Sequence, residues 1–265
     1  QRQMCIRDRG IAGAAIASSV SEAVSLLFFI IYTSMTADKR KYGFRRAFTL
    51  RPHLLKGMLS ISGWTMVQSF ISVSIWFIFF LAIEHLGERP LAVTNIVRNI
   101  SALLIMVISA FATTAGALIS NQIGAGEQRC LFKTCGMTLK LTYAILIPLL
   151  IILCLFPESV LRAFTDSPSL IAASVNSVYV MASSTLIMAP SFILFNAVSG
   201  TGNTRAGFIM EMISLAVYTA VIYYGIIRLK PDVALCWFSE HVYGVTLIFL
   251  AWWYLKSGKW RGKKV

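Results

Sequence analysis

The chain has 265 residues, of which 57% are hydrophobic and 13% charged, and it carries a formal charge of +13 at pH 7. Soluble domains carry about a quarter charged residues, which excludes a soluble globular fold. The basic excess sits between apolar runs rather than on one folded surface, so nucleic acid is excluded as its partner. What remains is an all-α, polytopic membrane helix bundle whose first partner is the lipid bilayer.

Residues Gln1–Arg9, QRQMCIRDR, are highly polar and join abruptly to the apolar GIAGAAIASS; they read as a non-native remnant and are set aside. About seven apolar runs of spanning length follow: Gly10–Thr36, Gly57–Ile83, Leu91–Ser120, Met137–Phe156, Ser169–Val198, Ala206–Ile227 and Val233–Leu255. Each suffices to cross ~30 Å of hydrocarbon at ~1.5 Å per helical residue. The third run, inside the stretch Leu91–Gln128, organises the others. Asn95, Arg98, Asn99, Ser101, Ser109, Thr113 and Thr114 interrupt it, and Gly116, Ala117, Gly124 and Gly126 crowd its far end. A buried polar group is unfavourable unless a neighbouring helix or wet cavity satisfies it, so this helix must pack against others. Pro148 and Pro190 fall inside the fourth and fifth runs and predict kinks. In the fifth, Asn176, Ser177, Ser183, Ser184, Thr185, Ser191 and Asn196 form a polar path that predicts a cavity or helix interface.

Orientation follows from the connections. One side holds Lys39, Arg40, Lys41, Arg45, Arg46, Arg51, Lys56, Arg129, Lys133, Lys140, Arg205 and the tail bases Lys256, Lys259, Arg261, Lys263 and Lys264, sixteen against Arg89, Arg162, Arg228 and Lys230 on the other. Positive charge is retained on the cytoplasmic side, so the C-terminus is cytoplasmic and the first helix runs inward. Arg40–Lys56, with Tyr42, Phe44, Phe48 and Leu50 among its bases, reads as a solvated orienting loop, compatible with a segment lying on the anionic inner leaflet.

The five cysteines (Cys5, Cys130, Cys135, Cys154, Cys236) are scattered and have no histidine nearby to complete a metal site. They read as packing thiols. His53, His85 and His241 fall in loops or near membrane ends. There is no phosphate loop, metal-protease motif, paired catalytic carboxylate or nucleophile set, so neither an enzyme nor a cofactor or metal is indicated.

Candidate pathway residues are the polar groups at membrane depth. Glu22 lies mid-span, where an ionised side chain costs at least ~2.5 kcal/mol on insertion scales. Arg98 lies about two turns from the outer end of its helix and can meet Glu84. Glu211, two turns into the sixth span, can pair with Arg205 or line an inner vestibule. Trp64 and Gln68 are four apart on one helix face and can together receive a flat cation. Asn95, Asn176 and Asn196 complete the set. The remaining tryptophans read mostly as interfacial anchors.

Three segments together carry a family likeness: LAVTNIVRNIS with its downstream NQIGAGE, then NAVSGTGNTRAG at Asn196–Gly207, and GIAGAAIASSVSEAVSLL at Gly10–Leu27. In order and spacing they resemble the second half of a multidrug and toxic compound extrusion (MATE) transporter. The resemblance implies the sixth helix and basic interlobe linker over residues 10–56, and a six-helix C-terminal lobe over 57–265. Its partner would be a missing N-terminal lobe, the two halves rocking around substrate. It further implies secondary active export of small organic, often cationic, compounds by antiport with Na+ or H+ across a bacterial inner membrane. Acidic residues found in the seventh and tenth helices of some members are absent here; Gln68 and Asn196 are the nearest polar substitutes, which points the coupling carboxylate to the missing lobe and leaves the ion unassigned.

A lipid-linked oligosaccharide flippase of the related superfamily is the alternative, and a membrane-embedded transferase a remote one. Only Arg98 lies well inside a span, which favours the antiporter. Fused to the C-terminus of the full-length protein, a reporter active only outside the cytoplasm is expected to be silent, and one inserted at Gly87 active. The reverse pattern would overturn the orientation.

Overall fold

A computed structural model of the chain describes residues 10–36, 52–127, 130–229, 231–258 and 260. The leading nine residues, the basic stretch from Lys39 to Arg51 and most of the basic tail lie outside them. Two compact units are present, Gln1–Met58 and Leu59–Val265. In the first, α1 (Gly10–Thr36) is a continuous helix whose side chains from Ile16 onward are almost all exposed. Phe28 and Tyr32, one turn apart, stack with ring centroids 6.2 Å apart.

The chain continues through α2 (Pro52–Glu84), α3 (Glu88–Gly124), α4 (Leu131–Leu155), the short α5 (Pro157–Arg162), α6 (Pro168–Gly200), α7 (Thr204–Val221), α8 (Val233–Cys236) and α9 (Ser239–Ser257). Seven stretches among the described residues are long and apolar enough to cross a membrane. They coincide with the seven runs expected from sequence, with three changes at the ends. α3 reaches a turn beyond Leu91–Ser120 at each side, because Gly87 at φ 121° turns the chain into it and Pro90 is tolerated in a first turn. α4 starts at Leu131 rather than Met137; Thr134 Oγ1 donates to Gln122 Oε1 at 2.9 Å, tying the first turn of α4 to the end of α3. The last two spans are irregular. α7 passes into a π-helical segment, Ile222–Arg228, and the final span is broken between α8 and α9.

α3 and α6 pack against each other along most of their lengths and form the centre of the second unit. Small residues bring their backbones together. A Cβ built on Gly200 would stand 2.5 Å from the Gly116 carbonyl oxygen, and one on Gly116 would stand 2.9 Å from that of Asn196. Ala112, Ala115, Ala189 and Ala197 are fully buried beside this crossing. In hydrocarbon, helices associate through such close packing, since apolar burial alone gives little preference. Just after it, Gly202 at φ 79° makes the turn into α7. Asn203 then caps α7 by accepting from the Ala206 amide at 3.3 Å and donates its own amide to the Tyr254 hydroxyl of α9 at 2.5 Å.

Large apolar side chains on the outer faces, among them Phe70, Val73, Phe77, Met106, Phe249 and Trp253, remain exposed, as helices bathed in lipid require. Trp237 departs from the expected interfacial role. It is buried and meets Phe79 of α2 edge to face at 5.8 Å. Lys256 over Trp252, 4.5 Å from its ring centroid, does fit an anchor at the membrane edge.

Pro148 and Pro190 both lie within continuous helices. Proline has no N–H, so the Leu186 carbonyl, four residues before Pro190, lacks its helical donor. The Tyr143 hydroxyl of α4 supplies one, donating to that oxygen at 2.7 Å. Tyr143→Phe should therefore lower thermal stability by about 1–3 kcal/mol, the penalty of a carbonyl left unsatisfied away from water in hydrocarbon. In a Pro190→Ala background, where the amide returns, the same change should have little effect. Equal losses in both backgrounds, measured by thermal unfolding in detergent, would refute this pairing.

Candidate functional site

The second unit contains a cavity of about 150 Å³ lined by Ser72, Ile75 and Trp76 of α2, Ile105 of α3, Met188 and Phe192 of α6, Glu211, Leu215 and Tyr218 of α7, and Glu240 and Tyr243 of α9. Each helix presents residues spaced for one face. Ser72 and Trp76 are four apart, Glu211 and Tyr218 seven, Glu240 and Tyr243 three, and Met188 and Phe192 flank Pro190. Glu211 stands seven residues past Thr204, about 10 Å along the axis, and Glu240 seven past Val233. The cavity therefore lies in the central part of the last two spans.

The two carboxylates are braced reciprocally. Glu211 of α7 accepts at Oε1 from the Tyr243 hydroxyl of α9 at 2.9 Å and from the Ser72 hydroxyl of α2 at 2.8 Å. Glu240 of α9 accepts at Oε1 from the Tyr218 hydroxyl of α7 at 2.7 Å. The two tyrosine rings meet edge to face at 5.8 Å, and Trp76 makes a further polar contact with Glu240. Glu211 is 4% and Tyr218 2% exposed, so these bonds lie away from solvent.

Magnitudes decide what the site needs. A hydrogen bond to an ionised group contributes about 1.5–3 kcal/mol, whereas desolvating a carboxylate costs several kcal/mol per ion. Glu240, with one hydroxyl donor and an indole contact, remains under-compensated, and among the described residues no lysine, arginine or histidine lines the cavity. Either protons or an external cation must balance the pair.

Of the residues singled out from sequence, Glu211 alone lines this cavity, and its partners differ from those expected. Arg205 lies with its guanidinium 6.0 Å from the Trp64 ring centroid instead of meeting Glu211, because a buried carboxylate beside two hydroxyls is already engaged. Trp64 itself packs on Phe208 at 5.1 Å, so it braces α2 against α7, and Gln68 is half-buried outside the cavity. Arg98 is held 5.3 Å from the Phe80 ring centroid rather than by Glu84 among the described residues, and its Nε is buried without a partner. The amides of Asn95 and Asn196 turn back on their own helices, to the Leu91 carbonyl at 3.1 Å and the Phe192 carbonyl at 2.9 Å. Asn176 is exposed, and so is Glu22 in the first unit.

Sequence reasoning passed over Glu240, Tyr218, Tyr243, Trp76 and Ser72. Glu240 carries the same signal as Glu211, an acidic residue two turns inside a span. His241 beside it faces elsewhere: its Nε2 lies 2.9 Å from the Ser183 hydroxyl and its ring stacks on Phe238 at 4.7 Å.

The chain is 23% identical to the "Probable multidrug resistance protein NorM" of Thermotoga maritima, over 97% of the chain and 55% of that protein. It is also 23% identical to the "Uncharacterized transporter YisQ" of Bacillus subtilis, over 78% of the chain and 45% of that protein. The chain thus spans about half the length of the curated relatives it matches. A mutant of the Vibrio cholerae MATE transporter VcmN shares the fold with a TM-score of 0.71 at 15% identity, covering 80% of this chain and 48% of that one. A MOP superfamily transporter from Pyrococcus furiosus does so at 0.67 and 14%, covering 75% and 44%. The MatE family model matches residues 65–224, a range that takes in the α2–α7 frame of the cavity, and the chain belongs to the MatE family.

Proposed function

We propose that this chain forms the C-terminal lobe, with the helix before it, of a secondary active transporter that exports small organic cations in exchange for Na+ or H+. The observation that carries the reading is the pair Glu211 and Glu240, facing one cavity at membrane depth with no basic residue beside them among the described residues. An intramembrane carboxylate without a fixed counter-charge favours whichever cation arrives, and exchange requires two cationic species to make opposing demands on one set of acids. Here the same lobe supplies the acid and an apolar enclosure. The name of the Thermotoga maritima relative supports a multidrug role, and a second lobe supplied by the rest of the protein would complete the alternating-access machine. The membrane is the bacterial inner membrane, with the C-terminus inside as the basic loops require.

A carrier for phosphate-bearing lipids would need the opposite lining. The acidic cavity places a repulsive pair where a pyrophosphate would seek arginine or lysine, which disfavours the flippase alternative.

Within this reading, Ser72 and Tyr243 position Glu211, and Tyr218 positions Glu240. Glu211→Gln keeps the shape and the possibility of hydrogen bonds but removes the charge. In membrane vesicles containing the full-length protein, the variant is expected to lose efflux of a fluorescent organic cation by about tenfold or more, equivalent to at least ~1.4 kcal/mol, under both a pH and a sodium gradient, at unchanged abundance. Efflux equal to wild type under either gradient would overturn the role of this carboxylate.

A further inference from the structure

Six buried side-chain nitrogen or oxygen atoms among the described residues lack a hydrogen-bond partner, and four of them, Thr94 Oγ1, Arg98 Nε, Ser177 Oγ and Trp237 Nε1, belong to the outer half of the second unit. All four can donate a proton. Hydroxyls elsewhere on α3 and α6 turn back to their own helices: Thr113 donates to the Ser109 carbonyl at 2.9 Å, Ser174 to the Leu170 carbonyl at 2.7 Å and Thr185 to the Met181 carbonyl at 2.8 Å. Thr94 and Ser177 do not.

Helix register brings the four to one level. α3 and α6 run in the same direction, with Arg89 Nη2 donating to the Ser169 carbonyl at 3.3 Å near one end and Gly116 meeting Gly200 near the other. Thr94 and Ser177 each stand eleven residues, about three turns, before a residue of the acidic cavity's wall, Ile105 and Met188 respectively. They therefore share the helix faces of those residues, about 16 Å nearer the outer end. Arg98 lies one turn inward of Thr94. On the last span, His241 beside Ser183 and Gly244 beside Ile187 fix the level, which sets Trp237 beside the turn of α6 that follows Ser177.

Thr94 is 0%, Ser177 1% and Trp237 2% exposed, and the core residues around them, Val93, Val97, Val178 and Met181, are apolar. Arg98 adds a full positive charge that forms no ion pair among the described residues. Phe80 faces it at 5.3 Å without supplying a counter-ion, and Glu84, one turn beyond Phe80, is exposed. Water accepts from the N–H groups but leaves the charge unbalanced, whereas a single anion answers both needs.

We propose that Thr94, Arg98, Ser177 and Trp237 form a binding site for one small monovalent anion of the halide class, held by two hydroxyls, an indole N–H and a guanidinium near the outer ends of α3, α6 and the last span. One negative charge matches one guanidinium, and the apolar surroundings offer no donors to the further oxygens of a phosphate or sulfate. The site is separate from the acid pair and does not depend on the export reading. An anion bound there ties three helices together at the outer end and stabilises the folded lobe.

The test is thermal unfolding of the purified full-length protein in detergent, in potassium chloride or potassium gluconate at one ionic strength. Chloride is expected to raise the unfolding temperature by about 2–4 °C along a saturating curve, with bromide acting likewise and the much wider gluconate giving no rise. Arg98→Gln should abolish the difference between the two salts. Thr94→Val and Ser177→Ala keep the charge and nearly the shape, and each should require about tenfold more chloride for half the rise. Thr113→Val, on the same helix as Thr94, should respond as wild type. Each variant is read against itself in the two salts, so a general loss of stability does not imitate lost binding. Equal unfolding temperatures of the wild type in chloride and gluconate would overturn the proposal and leave water, or a carboxylate outside the described residues, as the partner of Arg98. A chloride response undiminished in Arg98→Gln and Thr94→Val would mark a general salt effect and overturn it as well.

Discussion

The close crossing of α3 and α6 is the constraint on which the second unit depends. Gly116 and Gly200 lie where any side chain would strike the opposing backbone, so the two helices meet at a distance that only hydrogen atoms allow. Because lipid offers apolar side chains nearly as good an environment as another helix does, contact must come from shape, and shape here comes from residues with almost no side chain. The buried alanines on both sides extend the seam, and α4, α7 and α9 assemble around it.

Within that seam α6 carries Pro190. The missing amide is compensated from α4 through Tyr143, and the residues flanking the proline, Met188 and Phe192, turn toward the cavity. A helix that packs tightly toward one end and carries a compensated break nearer its middle can present irregular surface without leaving backbone polar groups exposed to hydrocarbon. The cavity lies beside this stretch of α6. Its polar groups then satisfy one another across three helices, with tyrosine from α7 serving the carboxylate of α9 and tyrosine from α9 serving the carboxylate of α7. This reciprocity ties the last two spans together in the same stroke that fixes the acids.

Membership of the MatE family and the shared fold set the frame in which the cavity is read, while low identity to the solved relatives leaves the chemistry to the residues themselves. Among the described residues, those lining the cavity are two acids, several rings and no base, and the proposed cation exchange rests on that composition. The acids come from the last two spans, with α2 contributing a hydroxyl and an indole. The amides Gln68 and Asn196, the nearest polar substitutes for an ion site, lie outside the cavity, and that of Asn196 bonds its own helix.

From the sequence alone, the membrane, the seven spans and the need of the third span for partners were determined, because helix length and hydropathy are local properties set by bilayer thickness and backbone hydrogen bonding. The tightness of Gly116 was legible in the same way, as small residues crowding the end of a span. Glu211 could be marked because a charge at that depth is costly wherever its helix turns. What only the tertiary structure decided was companionship. Tyr243 lies 32 positions from Glu211 and Ser72 lies 139 from it, separations over which periodicity carries no information, and Arg205, near enough in sequence to seem the partner, rests instead on Trp64. A helix period shows which residues share a face but not which face meets which helix, and it is that second fact, set by the packing around α3 and α6, that brings Glu240, the tyrosines and Trp76 to Glu211.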